Sequence, residues 1–215
     1  ASESITFAAY AERWLERQKD LRLTTQLAYK TEVNHAKKHL GKLKLKDIKP
    51  HHIKDCLLKL SQTTMTGGRG KGKLMSGRTL RMVRTRLKSI FHEAVVDQLL
   101  YFNPYDAVKR VKTTPSESVG KVMDFVEMTR FHELGLALYE AGVARLFPAL
   151  FTAASLGLRK GETMVLRWQD VDLNRNVLSI RQNVTTPGGK PTFGEPKTQH
   201  SRRDIPIPLT LKNIL

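Results

Sequence analysis

Between Asp55 and Glu93 the chain holds no acidic residue, while Lys59, Arg69, Lys71, Lys73, Arg78, Arg81, Arg84, Arg86 and Lys88 all fall there. In the second half of that stretch Leu80, Val83, Leu87, Ile90, Phe91 and Ala94 recur at the spacing of an amphipathic helix. The pattern predicts one long helix from about Gly77 to Leu99, with the apolar residues inward. Projected at about 100° per residue, Arg78, Arg81, Thr85, Lys88 and His92 form one stripe away from the apolar face, and Arg84 and Arg86 project elsewhere. Solubility does not require such a face, because soluble surfaces normally interleave both signs. Arginine forks suit guanine edges and phosphates, and lysines suit phosphates, so the stripe points to a DNA groove.

The charge of the whole chain agrees with this. Lys and Arg number 37 against 20 Asp and Glu, a formal net charge of +17 over 215 residues. Residues 1–112 hold 24 basic and 10 acidic residues, which leaves +14; residues 113–215 hold 13 and 10, which leaves +3. The break coincides with a polar, Pro- and Gly-containing run, residues 113–121, which reads as a linker. Two domains are therefore expected, 1–112 and 122–215. No apolar run approaches the ~18 residues of a membrane span, and no basic-then-apolar leader opens the chain. A single cysteine, Cys56, excludes an internal disulfide framework. These features describe a soluble, cytoplasmic, nucleoid-associated protein with no membrane partner.

The first domain reads as helices throughout. Phe7, Tyr10, Ala11, Trp14 and Leu15 mark the first, behind a Thr6 cap. A second begins near Thr24, with Tyr29, Val33, Ala36 and Leu40 inward and Gly41 as its stop. Its other side offers Lys30, Asn34, Lys37 and Lys38, of which Lys30, Asn34 and Lys38 join the DNA-binding candidates. Pro50 opens a third helix with Ile53, Leu57, Leu58 and Leu60, and a brief helix through Ala107 and Val108 follows the long one. Gly67 to Leu74 resembles a nucleotide-binding phosphate loop, but Leu74 stands where Ser or Thr should hold magnesium, and no buried strand precedes it. A Gly-rich loop that carries Arg69, Lys71 and Lys73 along phosphates fits better. His35 and His39 stand one turn apart without a third ligand, so no metal site is expected, and Cys56 reads as a small buried hydrophobe.

The second domain mixes element types. Asp124 and Glu127 form a capping box ahead of Met128, Phe131, Leu134 and Leu138, all expected inward. A helix from about Val143 to Leu156 should bury Leu146, Leu150, Ala153 and Ala154 and end at Gly157. Val177, Leu178, Ile180 and Val184 predict a strand, Thr186-Pro187-Gly188-Gly189 a turn, and Arg202 to Ile207 a second strand. Pro208 opens a last helix. The result is an α+β unit with a small antiparallel sheet among helices.

The run Gly157-Leu158-Arg159 to Glu162, followed by Leu166-Arg167-Trp168 and Asp170, resembles the first catalytic-arginine box of the tyrosine recombinases, the phage-integrase family. Pro196-Lys197-Thr198-Gln199-His200-Ser201-Arg202-Arg203-Asp204-Ile205-Pro206 is similar to that family's β-hairpin lysine box. The resemblance implies a mainly α protein: a helical core-binding (SAM-like) domain, then a truncated α+β catalytic domain with a small antiparallel sheet. It implies site-specific recombination of double-stranded DNA through a 3′-phosphotyrosyl link, with neither metal nor cofactor, by a homotetramer of the full-length protein. By the same resemblance Arg159 stabilises the charge on the phosphate, Lys197 protonates the leaving oxygen, and Glu162 supports Arg159.

The family continues with a His-x-x-Arg box and a tyrosine nucleophile. Here the five tyrosines (Tyr10, Tyr29, Tyr101, Tyr105 and Tyr139) all precede Arg159. The expectation is therefore a fragment of a longer recombinase, able to bind DNA but not to cleave it. The other possibility is a non-catalytic DNA-binding or architectural protein that has kept the fold.

Overall fold

The computed structural model describes residues 5–66, 71–108, 122–195 and 201–215. It divides into two compact units, Ala1–Val119 and Gly120–Leu215. The proposed linker, residues 113–121, lies outside the described residues.

Four helices build the first unit: α1 (Phe7–Glu16), α2 (Leu23–Leu40), α3 (Pro50–Ser61) and α4 (Gly77–Val96). Caps set their starts. The Thr6 hydroxyl accepts the Ala9 N–H at 3.3 Å, the Ser76 hydroxyl accepts the Thr79 N–H at 3.2 Å, and Pro50 occupies the first turn of α3. Gly41 follows α2 with right-handed torsions instead of a left-handed stop, because the chain turns there to run back along α1. Phe7 donates its N–H to Leu43 O at 2.9 Å, and Ala8 donates to Gly41 O at 3.1 Å. Phe7, Tyr10, Trp14, Val33, Leu40, Ile53, Leu57 and Leu60 meet all six predicted inward residues of α4 in one core. Leu58 faces outward, 48% exposed. Cys56 is buried in that core, and burial pushes its thiol up to about 12, which leaves it a packing residue.

Two features of this unit were not expected as drawn. Of the brief helix expected at Ala107 and Val108 the described residues show two turns, Asp106 N–H to Asn103 O at 3.1 Å and Val108 N–H to Tyr105 O at 2.9 Å. Asn103 Oδ1 accepts the Tyr105 N–H at 2.9 Å, and residues 109–112 lie outside the described residues. The Gly-rich segment stands on a short antiparallel ladder: Met65 donates to Lys73 O at 2.8 Å, Gly72 to Met65 O at 2.9 Å, and Met75 to Thr63 O at 3.0 Å. Residues 67–70 between its feet lie outside the described residues.

In the second unit Asp124 caps α5 (Phe125–Glu140) in the predicted box with Glu127. Next come α6 (Phe147–Leu156), one turn of helix α7 (Lys160–Thr163) and, at the end, α8 (Leu209–Lys212) behind Pro208. Leu134 and Leu138 of α5 are exposed rather than inward, at 63% and 38%. On α6 the buried residues are Phe147, Phe151 and Thr152, while Leu146 and Leu150 face out. α6 is apolar all round, so period alone cannot choose its inward stripe, and Pro148 starts the helix later than Val143. Gly135 decides the packing, because a Cβ there would lie 2.1 Å from the Phe147 ring.

The sheet is split in two. β1 (Val171–Asp172), β2 (Val177–Ile180) and β5 (Arg203–Pro206) form an antiparallel sheet in the order β1-β2-β5, with Leu178 opposite Ile205 and Ile180 opposite Arg203. Val184 belongs to a separate hairpin, β3 (Asn183–Thr185) with β4 (Thr192–Gly194), around Pro187–Gly189. Leu178 and Ile180 pack with Ile207, Leu211, Phe147 and Phe151 into a small core. Among the described residues no helix is long and apolar enough to cross a membrane.

One charge lies deep in the first unit. Arg86, 8% exposed, donates Nε–H to Glu32 Oε2 at 2.8 Å and lies 3.3 Å above the Tyr29 ring centroid, with Trp14 5.4 Å away. Arg86→Met should leave the Glu32 carboxylate buried and unpaired, at a loss of about 3 kcal/mol. Urea unfolding should show that loss, and Glu32→Gln added to Arg86→Met should recover a large part of it.

Candidate nucleic-acid interface and phosphate site

On α4 the predicted stripe is in place: Arg78, Arg81, Thr85, Lys88 and His92 are all exposed, opposite the buried face. Thr85 donates its hydroxyl to Arg81 O at 3.1 Å, and Lys88 Nζ stands 3.9 Å from Asp106, both side chains being well exposed. Arg84 and Arg86 indeed leave the stripe: Arg84 Nε–H goes to the Tyr105 hydroxyl at 3.0 Å, and Arg86 goes inward to Glu32. Lys30, Asn34 and Lys38 are exposed on α2, which α4 grips through the Arg86–Glu32 pair. Lys37, on the same side of that helix, pairs instead with Glu12. Lys71 and Lys73 are exposed at the foot of the ladder, whereas Arg69 lies outside the described residues.

In the second unit the residues of interest gather where α6 ends. Gly157 adopts the left-handed conformation (φ 62°, ψ 37°), which turns the chain out of α6 and sets Arg159 as the extended residue that opens α7. Glu162, one turn on, reaches back: its Oε2 accepts the Arg159 backbone N–H at 2.9 Å, and its Oε1 accepts Arg159 Nη1–H at 2.9 Å. Gly161 between them must lack a side chain, because a Cβ there would fall 2.2 Å from Asn183 Oδ1 and 2.5 Å from Val184 O on β3. The turn is thereby seated directly on the hairpin.

A third member completes the cluster. Arg203 of β5 forks onto the same carboxylate, with Nη1 at 3.2 Å from Oε1 and Nη2 at 3.0 Å from Oε2. Glu162 thus accepts from two guanidiniums and one backbone amide, with only 2% of its side chain exposed, while 70% of the Arg159 side chain faces solvent. Burial works against its ionised form. The hydrogen bonds from Arg203 and from the Arg159 backbone and side chain overcome that effect and hold the carboxyl at about 2. Nearby, Arg167 makes a bidentate pair with Asp170, at 2.9 and 2.8 Å, and pins the next turn. Lys197 lies outside the described residues.

Arg203 is the member that reading the chain did not single out. A signal was available: Arg203, Ile205 and Ile207 share one face of a strand by period two, and Ile207 is buried. An arginine on the inward face of a strand needs a buried acid.

The ordinary glutamate value lies near 4.5, above the folded value. Glu162 therefore contributes stability in full above that pH and loses it as pH falls toward 2. The melting temperature of the chain should drop more steeply between pH 5 and pH 2 than that of Glu162→Gln, by calorimetry.

Residues 6–61 match the family model described as phage integrase, N-terminal SAM-like domain. The ICEBs1 integrase of Bacillus subtilis (strain 168) is 30% identical over 142 residues, which cover 66% of this chain and 37% of that protein. A protein described as tyrosine recombinase XerC-like, from Caldanaerobacter subterraneus subsp. tengcongensis, is 27% identical over 146 residues, 63% of this chain and 37% of that one. The chain thus spans 37% of the length of each of these curated relatives. Among solved structures, the Tn1549 transposon integrase in complex with a circular intermediate DNA superposes with a TM-score of 0.78 at 19% identity, over 98% of this chain and 63% of that one. A lambda integrase dimer bound to a COC' core site gives 0.63 at 17% identity, over 90% and 49%. At these identities the two structures speak for the fold.

Proposed function

We infer that the chain is the DNA-holding part of a site-specific recombinase of a mobile element, of the tyrosine recombinase or phage-integrase family, a reading supported by the match of residues 6–61 and by the integrase and XerC-like relatives. The reaction class is cleavage and rejoining of double-stranded DNA through a 3′-phosphotyrosyl link. The observation that carries this assignment is Arg159: a largely exposed guanidinium clamped from behind by a buried carboxylate, which the resemblance of the Gly157–Glu162 run assigns to the family's first catalytic arginine. A cleavage transition state spreads negative charge over the non-bridging oxygens of a phosphate, and a preorganised guanidinium stabilises that charge without reorganising when it forms.

In this assignment Glu162 orients Arg159, and Lys197 is the general acid for the leaving 5′ oxygen. The first unit supplies affinity and register. Arg78, Arg81, Thr85 and Lys88 of α4, with Lys30, Asn34 and Lys38 of α2, take phosphates and base edges, and Arg69, Lys71 and Lys73 ride along the backbone. The tyrosine nucleophile is not among the residues after Arg159, so the chain by itself holds DNA and does not nick it. The longer recombinase would act in the cytoplasm on two duplexes as a tetramer, an assembly for which a lambda integrase tetramer bound to a Holliday junction is the precedent.

Affinity of the chain for a duplex, measured by fluorescence anisotropy, should fall steeply with salt, since each lysine or arginine on a phosphate displaces about one counterion. A flat salt dependence would count against the basic stripe as a DNA contact. Arg81→Ala should weaken binding and reduce the salt slope by about one. Arg159→Ala should change affinity less, since Arg159 is assigned to the reacting phosphate. In a version carrying the family's tyrosine, Arg159→Ala should abolish strand cleavage with the fold intact; retained cleavage would remove Arg159 from the chemistry.

A further inference from the structure

We propose that Arg203 is a positioning residue that neutralises Glu162, so that the positive charge of Arg159 stays available to a phosphate. The proposal rests on the phosphate role assigned to Arg159 above and names the device that maintains it.

Glu162 is buried and ionised, and a buried carboxylate draws whatever cation it can reach. With Arg159 as its only guanidinium, the stable arrangement would be the planar two-point fork that arginine and carboxylate prefer. Such a fork would turn the guanidinium of Arg159 inward and cancel its charge. The structure shows a different division. Arg203 takes the two-point geometry, one nitrogen on each oxygen, at 3.2 and 3.0 Å. Arg159 touches the carboxylate through Nη1 alone at 2.9 Å, together with its backbone N–H. Three formal charges therefore leave one positive charge uncompensated. It sits on the guanidinium that is 70% exposed, whereas the Arg203 side chain is 30% exposed.

The scaffold holds Arg203 in that role. Arg203 pairs with Ile180 in the β2–β5 register, and Arg203 Nη1 also donates to Ser201 O at 3.3 Å. Neighbouring charges are occupied elsewhere: Arg181 pairs with Asp204 across the same strands, and Arg202 pairs with Glu195. Gly161 presses α7 onto β3, so Glu162 cannot retreat from the fork by shifting its turn. Arg203 and Glu162 therefore act antagonistically: removing the first is harmful to Arg159 only while the second is charged.

The test uses the chain as it stands, with arginine side chains labelled with nitrogen-15 and inorganic phosphate as the probe. Phosphate should shift the Arg159 Nε–H resonance along a saturable curve. Arg203→Met should weaken that curve about tenfold and should change the order of the Arg159 side chain. Arg203→Lys, which keeps the charge but loses the fork, should fall between the two. Glu162→Gln combined with Arg203→Met should regain phosphate binding, a rescue that a merely structural role for Arg203 would not produce. Unchanged phosphate affinity and Arg159 order in Arg203→Met would overturn the proposal, as would failure of the double variant to recover. If Arg203→Met does not fold, Arg203→Lys and the double variant decide the question by the same readouts. If phosphate leaves Arg159 unshifted in the unaltered chain, the phosphate assignment falls. Arg159 order in the Arg203 variants still decides whether Arg203 positions it.

Discussion

A carboxylate removed from water must be met by as many donors as its lone pairs require, and in the second unit that demand organises everything near Arg159. Glu162 ties together the backbone that follows α6, the one-turn helix α7 and the strand β5. The left-handed Gly157 delivers the chain to the right place, and the missing Cβ of Gly161 lets it lie flat on the hairpin. Among the described residues the fully buried part of the apolar core beneath is six residues around Phe147 and Leu178, ringed by partly buried ones such as Phe131 and Leu166. In such a unit a polar cluster does much of the work of fixing one geometry, a role documented for buried polar groups in some proteins.

The first unit uses the same chemistry for a different end. Arg86 and Glu32 join α2 to α4 beneath the rings of Tyr29 and Trp14. Here no guanidinium is left facing water. The pair locks the relative register of the two helices that carry the candidate DNA contacts, while the contacts themselves lie on exposed faces that owe nothing to the core. Candidate contacts and packing residues are thus separated residue by residue along α4: Arg81 and Lys88 stand outside, Arg86 and Leu87 inside.

What could be read from the chain followed the strength of each period. α4 was legible almost to its ends, because its apolar and cationic residues alternate cleanly and no acid interrupts them. Thr6, Asp124 and Pro50 announced helix starts through capping chemistry that is local in sequence. The inward stripe of α6 is not legible, because Leu146, Phe147, Leu150 and Phe151 are equally apolar and the choice between them falls to Gly135 on a neighbouring helix. The separation of Val184 from β2 is not legible either, because the break at residues 181–182 has no strong turn signal. At the site, Arg159 and Glu162 are legible through the family resemblance of the Gly157–Asp170 run. Arg203 lies 41 residues from Glu162, and only the pairing of β5 with β2 brings it there.

The ladder beneath the Gly-rich segment has a consequence for how such a protein changes over time. Its feet are held by Met65, Gly72 and Lys73 within hydrogen-bonding distance of one another, directly behind α3 and ahead of α4. Lengthening the stretch between pinned ends costs only about 0.6 kcal/mol per doubling. A change in chain length between those feet is therefore cheap for the helices on either side, whose ends the ladder fixes independently of it.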